Sequence, residues 1–150
     1  MKLWLLRHGQ AYAYAAHDSE RALTEQGKQE IAQSAVHLCD QPLDIILSSP
    51  FVRAEQSTDQ VLKILARPVK IEQASWATPD DNPRAALKYL DQLSDYQNIL
   101  LVTHQFFVGQ LAGLLTGQPP VAFRTGTLLE LEGDFIAAGL MSLKHSYHPN

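Results

Sequence analysis

At 150 residues, 45% hydrophobic and 19% charged, the chain has the make-up of one soluble globular domain, residues 1–150, and not of a disordered or fibrous protein. A formal net charge of −4 argues against a general nucleic-acid binder, which needs a basic face, but leaves room for a small cationic pocket. The single cysteine, Cys39, rules out an internal disulfide and a multi-cysteine metal site and fits a cytoplasmic setting, and the apolar run before Arg7 is too short for a signal peptide or a membrane span.

Lys2 to Arg7 reads as a buried strand bounded by Gly9, and the polar, small residues from Gln10 to Leu23 read as a loop. Thr24 offers an N-cap, Glu25 suits the positive end of a helix, and Ile31, Ala35 and Leu38 recur at helical spacing up to about Cys39. Asp44 to Ser48 is a second short strand. Ser49-Pro50 carries the cap-plus-proline start of a second helix, with Val61, Leu62 and Leu65 as its apolar stripe and an end near Arg67-Pro68. A third strand is expected over Val69 to Ile71, and a helix after Asn82-Pro83 with Ala86, Leu87, Leu90 and Leu93 inward. Asn98 to Thr103 is nearly all apolar, as a strand buried on both faces should be. A helix is predicted from Gln105 to Leu115, ending at Gly117. A closing hairpin of Thr125 to Leu131 and Phe135 to Leu143 follows. The tail from His145 is polar and expected to fray; its histidines, His145 and His148, stand at i, i+3 without a partner cluster for a metal. Such alternation predicts a three-layer α/β/α sandwich with a mostly parallel central sheet.

In an open parallel sheet, ligands bind outside the carboxyl ends of the strands. Here the first strand ends in Arg7-His8-Gly9, the second in Ser48-Ser49-Pro50 with Arg53 just beyond, and the fourth in His104. Arg53 falls in the first turn of its helix, where the macrodipole disfavours a cation by a few tenths of a kcal/mol up to about 1. A bound anion reverses that sign, because helix N-termini attract phosphate. Each residue alone has an ordinary structural reading; three strand ends delivering His, Arg and His to one edge point to an anion site.

These residues resemble the histidine phosphatase superfamily, the phosphoglycerate mutase-like proteins. Its Arg-His-Gly signature is Arg7-His8-Gly9, its Leu-Thr-x-x-Gly helix start is Leu23 to Gly27, and its Ser-Pro-x-x-Arg-Ala-x-Gln-Thr/Ser motif is SPFVRAEQS, Ser49 to Ser57. The second histidine, after a hydrophobic strand and Thr, is His104. The short length and the DSERALT stretch, Asp18 to Thr24, are most similar to the SixA-type phosphohistidine phosphatases within that superfamily.

The resemblance implies phosphoryl transfer through a phosphohistidine enzyme. His8 is the implied nucleophile, with Arg7, Arg53 and His104 holding the phosphoryl oxygens and Gly9, Ser49 and Arg21 as further substrate-binding candidates. Arg21 has an equally ordinary reading as a loop arginine paired with Asp18 or Glu20. Neither a metal nor another cofactor is expected, since the cations supply the positive charge.

The glutamate general acid of many superfamily members has no counterpart in Ala74 to Asp81, leaving Asp18, Asp80 or Asp81 as substitutes. A phosphohistidine needs less help, because its ring departs as neutral imidazole when the far nitrogen is already protonated. The expected substrate is accordingly a phosphorylated protein such as a histidine phosphotransfer domain, acted on by a monomer without nucleic-acid or membrane partners. The alternatives are a small-molecule phosphomonoesterase for a sugar or nucleotide phosphate, with Gln105, Phe106 and Phe107 as a possible substrate wall, and a weakly catalytic phosphate-binding module. A histidine-based metal hydrolase would need acids beside His8 and His104 that are only scattered in the sequence.

Overall fold

The computed structural model describes all 150 residues, and the alternation expected from the sequence is present as β1 (Lys2–Arg7), α1 (Glu25–Ala35), β2 (Ile45–Ser48), α2 (Val52–Leu65), β3 (Lys70–Gln73), α3 (Pro83–Asp91), β4 (Asn98–Thr103), α4 (Phe107–Thr116), β5 (Leu128–Glu132) and β6 (Ser142–Tyr147). The six strands form one sheet in the order β3-β2-β4-β1-β5-β6. The first four are mutually parallel; β5 and β6 are added antiparallel at one side.

Strand side chains alternate between faces, and here each face is buried under a different pair of helices. Leu3, Leu5, Ile99 and Leu101 join one core with Ala86 and Leu90 of α3 and Phe107, Val108 and Leu111 of α4. Trp4, Leu6, Leu100 and Val102 join the other with Ile31 and Ala35 of α1 and Ala54, Val61 and Leu65 of α2. Burial on both faces is why β1 and β4 read as continuous apolar runs, and it yields the three-layer arrangement.

Several helix signals work as expected. The Thr24 side chain accepts from the Gly27 amide at 3.0 Å, Asn82 Oδ1 accepts from the Arg84 amide at 2.9 Å with Pro83 behind it, and Gly117 closes α4 at φ 68°. α1 then tightens into a 3-10 turn over Val36–Leu38.

Four segments differ from expectation. α2 begins at Val52, with Phe51 in the cap position, so Ser49-Pro50 is not its start; the Ser49 hydroxyl is drawn to His104. β3 is shifted to Lys70–Gln73 and is exposed throughout, an edge strand without the two-sided burial that marks its neighbours. The closing hairpin is wider than predicted. Phe135 is exposed, Ile136 and Met141 plug the core, and the amides of Gly139 and Met141 bond to the carbonyls of Leu114 and Leu115 at the end of α4, so this stretch caps a helix and the strand is displaced to β6. The tail does not fray. His145 pairs opposite Glu130, the rings of Tyr147 and His37 stack at 3.6 Å, and the Asn150 amide bonds to Gln33. His145 contacts the Glu130 carboxylate and His148 the Thr127 hydroxyl, so the two histidines serve separate partners. No helix is long and apolar enough to cross a membrane.

Candidate active site

The carboxyl ends of β1, β4 and β2 are adjacent, and their last residues continue the ladder into the loops. The His8 amide donates to the Thr103 carbonyl at 3.0 Å, and the Ser49 amide to the Val102 carbonyl at 3.0 Å. This places His8 between β4 and the turn at Gly126, whose amide bonds to the carbonyls of both Arg7 and His8. Gly9 can follow only because it has no side chain: a Cβ there would meet the Gly27 carbonyl oxygen at 2.3 Å, and one on Gly27 would meet the Gln10 carbonyl oxygen at 2.1 Å. Alanine at position 27 would gain about 1 kcal/mol in helix propensity, but that contact costs more. The Gly9 amide is taken by Ser57 Oγ at 3.1 Å, so it is engaged in packing the turn against α2.

His8 is 6% exposed. Its Nδ1 lies 2.7 Å from the Gly9 carbonyl oxygen, which only accepts, so Nδ1 carries the proton. Nε2 is therefore the nitrogen with the free lone pair, and Arg53 Nε faces it at 3.3 Å. Burial, opposed by the Gly9 bond and reinforced by the charges of Arg53, Arg7 and Arg21, pushes the His8 pKa down from 6.5 to about 3.

Arg53 is 3% exposed, not the surface arginine its helix position alone would suggest. Its three nitrogens are all directed: Nε to His8, one terminal nitrogen to the Asp18 carbonyl at 2.8 Å and the other to Asp18 Oδ2 at 3.1 Å. Arg21 Nε binds Asp18 Oδ1 at 2.8 Å and a terminal nitrogen binds the Tyr12 carbonyl at 3.0 Å. The structure thus places Arg21 and Asp18 beside Arg53. Asp80 is exposed and its carboxylate pairs with nothing, while Asp81 is held in its own turn by the amide and hydroxyl of Thr78.

His104 stands at the end of β4, its ring 5.1 Å from that of His8. The Phe51 amide donates to Ser49 Oγ, and Ser49 Oγ lies 2.7 Å from His104 Nε2. With the hydroxyl proton given to Nε2, His104 carries its own proton on Nδ1, which is buried and has no partner. Burial, then the neighbouring His8 and Arg53, push the His104 pKa down to about 2. Arg7 donates to the Phe123 carbonyl at 2.9 Å, and its Nε is also buried without a partner. A buried donor left unmade costs about 1–3 kcal/mol, so two of them at one pocket are what an oxyanion would satisfy. Phe106 and Phe107, paired in the sequence, separate: Phe107 is core and Phe106 is 74% exposed.

Two supporting residues were not singled out from the sequence. Ser57 accepts from Gly9 and donates to the Arg53 carbonyl at 2.7 Å, tying nucleophile turn to helix; its place as the last residue of SPFVRAEQS, four after Arg53, was the available signal. Glu30 accepts from the Gln10 amide and the Thr125 hydroxyl near Arg7, and nothing in the linear pattern marks it. No three His, Cys, Asp or Glu side chains converge as metal ligands.

The shifted histidines have a measurable consequence. Unfolded imidazoles titrate near 6.5, folded His8 and His104 far lower, so the unfolded chain binds protons that the native one refuses. Stability present above about pH 6.5 is expected to fall as pH drops toward 3, and the imidazole NMR signals of both residues are expected to stay unshifted from about pH 8 to pH 5. A midpoint near 6.5 for either residue would contradict the burial argument.

A three-layer sandwich whose strand ends carry Arg7, His8 and His104, with Arg53 added from the first turn of α2, is a site built on histidine for a phosphoryl group, and the chain belongs to the histidine phosphatase superfamily (branch 1), whose family model matches residues 3–76. Within it the likeness is to SixA-type proteins. The chain is 34% identical over 139 residues to phosphohistidine phosphatase SixA of Escherichia coli (strain K12), covering 89% of this chain and 86% of that one. It is 30% identical over 146 residues to the SixA homolog of Haemophilus influenzae (strain ATCC 51907 / DSM 11121 / KW20 / Rd), covering 89% of each. A solved structure of the protein histidine phosphatase SixA complexed with tungstate superposes with a TM-score of 0.91 at 30% identity, over 99% of this chain and 97% of that one.

Proposed function

We propose that the protein is a phosphohistidine phosphatase that removes the phosphoryl group from a phosphorylated protein, of the histidine phosphotransfer kind, by transient transfer to His8. The observation that carries this reading is the His8 ring itself. Gly9 holds the proton on Nδ1, which leaves Nε2 as a buried, neutral nucleophile facing Arg53. The kinship with proteins named as phosphohistidine phosphatases supports the substrate class.

In the first step the Nε2 lone pair attacks phosphorus, and the P–N bond to the substrate breaks with its electron pair returning to the substrate ring. Arg53 Nε gives up its long 3.3 Å contact with Nε2 and takes a phosphoryl oxygen; Arg7 Nε and His104 Nδ1 take others. Water then displaces His8 from phosphorus. His8 leaves as neutral imidazole because Nδ1 has kept its proton against Gly9 throughout.

Neither departure needs a strong acid, whereas an alkyl phosphate must expel an alkoxide, for which general acid catalysis is worth about 10²–10⁴-fold. With a phosphorylated histidine phosphotransfer domain as substrate, kcat/KM is expected to exceed that for an alkyl phosphate by at least about 10²-fold. A preference for the alkyl ester would sink the reading in favour of a small-molecule phosphomonoesterase.

A further inference from the structure

We propose that Asp18 is the residue that selects the leaving group, its carboxylate accepting a hydrogen bond from the protonated far nitrogen of the substrate's phosphohistidine ring. This rests on the reading of the reaction just given. Asp18 sits in a 3-10 turn over Asp18–Glu20, and its side chain is 59% exposed although it contacts the buried Arg53. Each carboxylate oxygen is used once, Oδ1 by Arg21 and Oδ2 by Arg53, so each retains an acceptor site open toward solvent. One guanidinium separates Oδ2 from His8 Nε2, since Arg53 touches both.

Charge makes the placement informative. A carboxylate beside a pocket for a doubly charged phosphoryl group repels the ligand, and the pocket would bind any phosphate ester better without it. The arrangement becomes favourable when the ligand carries a cation next to its phosphoryl group, as a ring protonated on its far nitrogen does. Asp18 is also unsuited to donating a proton. Burial pushes its pKa up, but hydrogen bonds from Arg21 and Arg53 outweigh burial and hold it below the ordinary carboxylate value. It is ionised at neutral pH, an acceptor and not the general acid.

The reaction needs two imidazoles to leave phosphorus in turn, and each needs its far nitrogen protonated. Gly9 provides the acceptor for His8. Asp18 provides the equivalent for the substrate, a carboxylate stabilising an imidazolium. The balance is complete without proton transfer. The His8 lone pair forms the new P–N bond, the old P–N pair returns to the substrate nitrogen, and the ring departs neutral with its far proton in place.

The test compares phosphoimidazole with nitrophenyl phosphate, whose leaving group has no N–H, in wild type and Asp18→Asn. The substitution loosens Arg53 and Arg21 and is expected to slow both substrates. The ratio of kcat/KM for phosphoimidazole over nitrophenyl phosphate is expected to fall by about 30-fold, the equivalent of one charge-assisted hydrogen bond. An equal loss on both substrates would reduce Asp18 to positioning Arg53 and overturn the proposal. A wild-type enzyme that does not cleave phosphoimidazole would remove the phosphohistidine reading first, and this proposal with it.

Discussion

Replacing His8 with alanine is expected to lower turnover of a phosphohistidine substrate by at least about 10³-fold and to eliminate the acid-labile phosphoryl label that the wild-type protein acquires on brief incubation with it. The magnitude follows from what the ring supplies. Arg7, Arg53 and His104 would still bind the phosphoryl group, but no other neutral nitrogen is free to attack: with the Ser49 hydroxyl donating to His104 Nε2, that lone pair is engaged and the tautomer so fixed keeps the proton on Nδ1. Binding without transfer should therefore survive. An alanine variant that retains phosphate affinity yet forms no label separates nucleophile from binding site, and label persisting in the variant would refute His8 as the acceptor. His8→Gln, which refills much of the buried volume, controls for collapse of the pocket; it should be as inactive as alanine.

How much of this was legible in the sequence depended on whether a residue's role is set along the chain or across it. β1, β4 and the starts of α1 and α3 are dictated locally, by apolar runs and by Thr24, Asn82 and Pro83, and these appear where expected. The convergence of His8, Arg53 and His104 also followed, since parallel strands share one carboxyl edge. What failed was arbitration between two uses of one residue. Ser49-Pro50 has the local chemistry of a helix start, but the Ser49 hydroxyl bonds across the sheet to His104, and α2 begins three residues later. The same competition displaced β6: Phe135 to Leu143 reads as a largely apolar strand, yet the amides of Gly139 and Met141 serve the carbonyls at the end of α4. For Asp18 the motif is visible in the sequence, but which way a carboxylate hydrogen-bonds depends on neighbours across the chain, and here hydrogen bonds from Arg21 and Arg53 hold its pKa below the ordinary carboxylate value.

Arg53→Lys is expected to cost about 10²–10³-fold in kcat/KM, nearly as much as Arg53→Ala, although it keeps the positive charge. Arg53 addresses His8, the Asp18 carbonyl and the Asp18 carboxylate with three different nitrogens of one rigid plane. A lysine ammonium reaching the same point can meet one of these partners at full strength and would leave the rest of a buried network unpaired. More is lost than contacts. The two bonds to Asp18 fix the plane of the guanidinium, and that plane aims Nε at the place where a phosphoryl oxygen must arrive beside His8 Nε2. A mobile ammonium of equal charge attracts the phosphoryl group in the ground state as well as in the transition state, so KM should change little while kcat carries the loss. If kcat for Arg53→Lys stays within about threefold of wild type, the pocket works by net charge alone. A loss confined to kcat shows instead that what Asp18 contributes to Arg53 is direction, and that the long connection before α1 is as much a part of the active site as the strand ends are.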